Sequence, residues 1–192
     1  MNLENILRNT NHSFPPITNF PQVVLQISNN DSLRRMAEDD RGHPTSIGAV
    51  YPDDRHVLVT SQTSTILHFR HQDFAFESCM LNFEPLARTD SFDPQVKLGS
   101  SNHVDIWVLD SSTEISRHIG NSWKFAPRRR HKLVTMEISQ QDSIASGHFH
   151  CPTNQFTTLE LACSPSPSIS SCDVDFWQDQ RVNPRGGLYK PQ

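Results

Sequence analysis

Phe149-His150-Cys151-Pro152, Leu159-Glu160-Leu161-Ala162-Cys163, Asp173-Val174-Asp175-Phe176-Trp177-Gln178-Asp179 and Gly187-Leu188-Tyr189 decide the fold of this 192-residue chain. Leu159, Leu161 and Cys163 share one parity, and Cys172, Val174 and Phe176 share another beyond the break Ser164-Pro165-Ser166-Pro167. Apolar residues two apart with polar residues between them are the pattern of a strand buried on one face. The two runs read as a hairpin with Cys163 opposite Cys172, Leu161 opposite Val174 and Leu159 opposite Phe176, because that register puts every apolar residue on one side. Glu160, Asp173 and Asp175 then face water.

Outward from this stretch the same rhythm recurs. Val23, Leu25 and Ile27 alternate as a first strand, and Asn29 to Pro44 is too polar to bury much, with at most one helical turn at Ser32 to Glu38. His56 to Thr60 and Thr65 to Phe69 predict two adjacent strands. Cys79, Leu81 and Phe83 point inward until Pro85 ends their strand, and Val104 to Leu109, apolar on both parities from Ile106, predicts a central strand. Trp123 to Phe125, Leu133 to Ile138 and Gly147 to Cys151 complete a series of short strands. The chain is expected to be all-β, an antiparallel, jelly-roll-like β-sandwich formed as one domain over residues 20–192, with residues 1–19 as a flexible leader.

Composition agrees. Thirteen prolines against seven glycines and an apolar fraction of 35% favour short strands over long helices. A net charge of -4 provides no global field for nucleic acid, so no nucleic-acid partner is expected. No apolar run approaches the roughly 20 residues needed to span a bilayer as a helix. Met1 to Asn19 lacks the apolar core of a secretory signal, and Asn11 and Asn30 begin Asn-x-Ser triplets that matter only in the secretory route.

The order Cys-Pro, Leu-Glu-Leu strand, acidic-aromatic-Gln-Asp strand and closing Gly-Leu-Tyr resembles the fungal But-two C-terminal domain family, named for a ubiquitin-three-binding protein. Phe20-Pro21-Gln22-Val23-Val24-Leu25 is similar to its first strand, Ile66-Leu67-His68-Phe69 to its second apolar block, and Ser78-Cys79-Met80-Leu81-Asn82-Phe83 to its internal Cys strand. The resemblance spans about Phe20 to Tyr189; the polar insertion from Ser32 to Pro44 and the extra pair Cys163 and Cys172 depart from it. It implies a non-catalytic binding or structural domain of a secreted or cell-surface protein, with an unknown protein or glycan partner. The family's name implies an alternative, an intracellular adaptor for an activating-enzyme subunit of a ubiquitin-like pathway. A carbohydrate-active jelly-roll enzyme is the third reading.

Four cysteines permit three pairings. Cys79 and Cys151 match the family's two cysteine strands, which implies a bridge between them, and the hairpin register places Cys163 and Cys172 within disulfide reach. The alternative is four buried thiols acting as small hydrophobes.

Other candidates are weaker. His148 and His150 share a strand face and are zinc-ligand types, but Cys151 points the other way and no second ligand pair is spaced to match, so no metal or cofactor is expected. Arg128-Arg129-Arg130-His131-Lys132 reads as a solvated loop after Pro127, and Arg128, Arg129 and Arg130 offer a surface to an acidic partner. Trp177, of outward parity, is the aromatic candidate for the same role. Glu160, Asp173 and Asp175 have the spacing of glycosidase carboxylates but equally that of any wet strand face. No Gly-x-Ser-x-Gly elbow, Gly-rich phosphate loop or Cys-x-x-Cys pair occurs, and no catalytic residues are assigned.

Overall fold

The structure is a computed structural model that describes residues 17–36, 43–50, 55–71, 77–99, 102–116, 122–165, 172–181 and 186–191. The expected leader therefore lies almost wholly outside the described residues, as do Ala37 and Glu38 of the turn proposed for Ser32 to Glu38. In chain order the strands are β1 (Thr18–Asn19), β2 (Val23–Ser28), β3 (His43–Thr45), β4 (Gly48–Val50), β5 (Arg55–Thr60), β6 (Thr63–Arg70), β7 (Ser78–Cys79) and β8 (Asn82–Glu84). They continue with β9 (Lys97–Leu98), β10 (His103–Leu109), β11 (Arg129–Glu137), β12 (Ile144–Ala145), β13 (Phe149–His150), β14 (Phe156–Cys163), β15 (Asp173–Gln178) and β16 (Gly187–Pro191). Among the described residues the one helix is a single 3-10 turn, Trp123–Phe125, where the sequence suggested a strand.

One layer is a five-stranded antiparallel sheet in the order β11-β10-β14-β6-β2. The other combines the three-stranded sheet β5-β15-β9 with the four-stranded sheet β1-β16-β8-β12. Leu67, Phe69, Val104, Ile106, Met136, Leu159 and Leu161 from the first layer pack against Val57, Val59, Val174, Phe176, Phe83 and Leu188 from the second, all buried. The expected all-β, antiparallel sandwich is the fold.

The parities were right and the pairing was not. β14 is hydrogen-bonded to β10 and β6, and β15 to β5 and β9, so the two strands expected to form a hairpin lie in opposite layers. Their apolar faces meet across the core instead of side by side. β5 and β6 are likewise split between the layers, although only Ser61 and Gln62 separate them. Alternation fixes which face a residue takes, and packing two sheets satisfies it as well as pairing two strands.

Side chains join the parts. Gln178 acts as a piece of strand: its Oε1 accepts the Leu188 amide at 2.7 Å and its Nε2 donates to the Leu188 carbonyl at 3.2 Å, linking β15 to β16. Gly187, at a φ of +93°, must be glycine there, because an added Cβ would strike the Gln178 side chain. Buried Asn102 donates to the carbonyls of Gly99 and Ile138 and accepts the Asp173 amide, so one amide group spans both layers. Cys163 is bonded to Cys172 and Cys79 to Cys151, with Cα separations of 5.8 and 5.9 Å. The first bridge is a staple between layers; the second closes the β7–β13 ladder, where Phe149 is opposite Cys79.

Parity predicts opposite outcomes for near neighbours on β15. Phe176→Ala empties a fully buried site and is expected to cost about 3–5 kcal/mol in urea denaturation, whereas Asp173→Ala, on the wet face, should stay within about 0.5 kcal/mol. Equal losses would contradict this packing.

Candidate functional site

The outer face of the five-stranded sheet carries a second apolar cluster of Val23, Leu25, Ile27, Ile66, Leu109 and Ile115, with Trp107 and Ala126 packed against it. Ile115 and Ala126 lie on the connection between β10 and β11, which therefore adds a third layer at this face. The Lys124 amide donates to the Ser32 carbonyl at 2.9 Å and ties that connection to the segment after β2. Asp31 holds the same segment by accepting the amides of Leu33 and Arg34 through its Oδ1.

Within this face, Glu160 sits opposite Trp107 on one side and Ile66 on the other, and is only 2% exposed. A carboxylate in such surroundings needs a paired cation. Arg129 supplies it through two parallel bonds, Nε to Oε2 and Nη2 to Oε1, both 2.7 Å. Its guanidinium lies 4.9 Å from the Trp107 ring centroid and 5.1 Å from that of Trp123, sandwiched by two indoles. The bond to Glu160 raises the Arg129 pKa above its usual value, against the opposing effect of burial.

The consequence is an exposed aromatic and basic platform. Leu33 (62% exposed), Trp123 (36%) and Phe125 (50%) are exposed on the two segments joined by the Lys124–Ser32 bond, and Arg34, Arg35, Lys124, Arg128 and Arg130 are exposed on or next to the same segments. The basic run is not a loop: Arg129 onward belongs to edge strand β11, and bulges at Arg130 and Leu133 interrupt its pairing with β10. Of the three arginines expected at a partner surface, Arg129 is committed inward and Arg128 and Arg130 remain outward. Lys132 is drawn to Asp105 and Thr135.

Trp177 lies on the other outer face, that of the β5-β15-β9 sheet, so it does not join the arginines. It is half-buried and stacked on His56, with centroids 4.4 Å apart and planes 7° from parallel. His56 Nε2 bonds Asp175 Oδ1 at 2.7 Å and its Nδ1 faces the Gln26 amide at 2.9 Å, while Lys97 reaches Asp175 at 3.4 Å. An Asp-His pair is two-thirds of a hydrolase triad, but Gln26 stands where a nucleophile would be. Glu160 lies on the opposite outer face from Asp173 and Asp175 and does not face water as expected, so it forms no glycosidase pair with either. His148 and His150 are exposed, and His148 bonds Ser78. A pocket of about 240 Å³ lined by Phe20, Pro21, Gln22, Arg55, Gln178 and Gln180 contains one titratable side chain.

A comparison of the sequence with protein-family models gives no match, and a comparison with curated proteins gives none either.

Two measurements follow from this geometry. Arg129→Met leaves Glu160 buried and unpaired and should cost about 3–5 kcal/mol, whereas Arg129→Met with Glu160→Leu should recover most of that loss. A double variant as unstable as the single one would remove the ion pair from the account. His68, buried beneath the same face, bonds Thr158 and stacks on Phe156; burial lowers its pKa from the usual 6.5, and Glu114 opposes the shift. Its neutral form is the one that fits the folded state, so the stability it contributes is present above about pH 6.5 and is lost as the pH falls below that value. Denaturation from about pH 8 to 5 should show the wild type losing stability on acidification faster than His68→Gln; parallel slopes would rule His68 out.

Proposed function

We propose that this chain is a non-catalytic binding domain of a secreted or cell-surface protein, and that it engages an acidic protein partner through the Leu33–Trp123–Phe125 platform. The carrying observation is that exposed Leu33, Trp123 and Phe125 and exposed cations lie on two segments that the Lys124–Ser32 bond ties together, next to the Arg129–Glu160 pair. Binding hot spots favour aromatic residues and arginine, and an apolar centre with a basic rim complements an acidic segment bearing apolar side chains. Two disulfide bridges support an oxidising compartment over the reduced cytosol that the adaptor reading requires. The resemblance to the But-two C-terminal domain family points the same way. Glu160, buried, bound to Arg129 and on the opposite outer face from Asp173 and Asp175, supports the non-catalytic part of this reading over a carbohydrate-active enzyme that would pair it with either of them.

The test is a quantitative pull-down from culture medium and cell-wall extract with wild type, the triple variant Phe125→Ala, Arg128→Glu, Arg130→Glu, and Trp177→Ala. The reading expects an acidic protein whose capture weakens with added salt, falls about tenfold or more in the triple variant and persists with Trp177→Ala. Capture that survives the triple variant, or that depends on Trp177, would sink it.

A further inference from the structure

We propose that Asn30 accepts an N-linked oligosaccharide when the chain passes through the secretory route, an inference that rests on the secreted or cell-surface reading above. Asn30, Asp31 and Ser32 form an Asn-x-Ser triplet with no proline in it, the acceptor pattern for this modification. The triplet begins just past the end of β2, in the segment that the Lys124 amide ties down through the Ser32 carbonyl. The other such triplet, at Asn11, lies outside the described residues.

The segment is held by its other polar groups and leaves two side chains out. Asn29 is fixed to the chain around the β5–β6 turn: its amide donates to the Gln62 carbonyl at 2.8 Å, and its Oδ1 accepts the Ser64 hydroxyl at 3.1 Å. Asp31 donates its amide to Ser28 Oγ at 3.4 Å and accepts the Leu33 and Arg34 amides through Oδ1 at 3.0 and 3.2 Å. Ser32 contributes its carbonyl to the Lys124 amide. Asn30 and Ser32 are both exposed, and neither side chain makes a hydrogen bond among the described residues. A group added to the Asn30 amide therefore breaks no bond that shapes the turn.

The chemistry needs a donor that the secretory route supplies, an oligosaccharide joined to a lipid pyrophosphate. In the transfer, Asn30 Nδ2 bonds to the anomeric carbon of the first sugar as the bond from that carbon to the pyrophosphate oxygen breaks. The lipid pyrophosphate leaves with the electron pair and, in the net balance, with the proton that the amide gives up; nothing is oxidised or reduced. The hydroxyl two residues on, that of Ser32, is the part of the pattern that the transferase reads beside the amide. A glycan is bulky and hydrated, so the folded chain has to leave it in water. Asn30 does so, whereas a buried asparagine such as Asn102, whose amide bridges both layers, has no such room. The sugar then borders the binding platform at Leu33 and adds polar bulk beside it without occupying any of the exposed cations.

The test is expression of the full chain behind a cleavable secretion signal in a glycosylating host. The expected result is a secreted protein that loses mass on treatment with a peptide N-glycosidase, which converts the modified asparagine to aspartate. Done in heavy-oxygen water, that treatment leaves a label that peptide mass spectrometry should locate at Asn30. Asn30→Gln and Ser32→Ala should each abolish it, and Ser32→Thr, which keeps the hydroxyl, should retain it. Exposed side chains that hold nothing are replaced without loss of the fold, and urea denaturation checks this for all three variants. An unmodified Asn30 in the secreted, folded wild type, or a label that survives Ser32→Ala, would overturn the proposal. The attached signal sends the chain through the route whatever its native address, so such a failure counts against this inference alone; the partner reading stands or falls on capture of the acidic protein.

Discussion

A carboxylate enclosed on a sheet face has to be neutralised, and in this protein Glu160 imposes that requirement on everything around it. Arg129 meets it at the first residue of β11 and is clamped between Trp107 and Trp123. The clamp brings the 3-10 turn Trp123–Phe125 over the sheet, and the Lys124 amide carries the contact on to Ser32. An ion pair of this kind adds little net stability compared with apolar residues, but loss of one partner is costly. Its contribution is therefore to specify one arrangement of the third layer, with the exposed rings and cations as the result.

The inner core depends on simpler physics. Short strands of alternating parity present apolar faces that two layers bury between them, and tight turns such as Ser61–Gln62 pass the chain from one layer to the other. Because the chain changes layers between β5 and β6 and between β14 and β15, polar side chains and a disulfide hold the parts in register: Asn102 and Cys163–Cys172 join the two layers, and Gln178 joins the two sheets of the second layer. The outer faces diverge: one is covered by a third layer, the other carries the Trp177–His56–Asp175 network in partial contact with water.

Much of the fold was legible in the sequence, because burial follows parity and parity is local. Leu159, Leu161, Val174 and Phe176 are core residues as their alternation predicts. Pairing is not local: nothing in the run from Leu159 to Phe176 says whether two matched faces belong to neighbouring strands or to opposed sheets, and the hairpin expectation failed at that point. Glu160 failed for the same reason, since one acidic residue on the outer parity reads as solvated until a third layer covers it. The signal that was available lay in Trp107, Trp123 and Arg129 together, two aromatics and a cation too far apart in sequence to be joined by periodicity.

Nuclear magnetic resonance of the Arg129 side chain tests the central claim most directly. If Glu160 and the two indoles hold Arg129, its Nε proton should exchange slowly with water, and its side-chain protons should show nuclear Overhauser contacts to the rings of both Trp107 and Trp123. A rapidly exchanging Nε proton with no contact to either ring would show that the third layer, and the platform built on it, rests on something else.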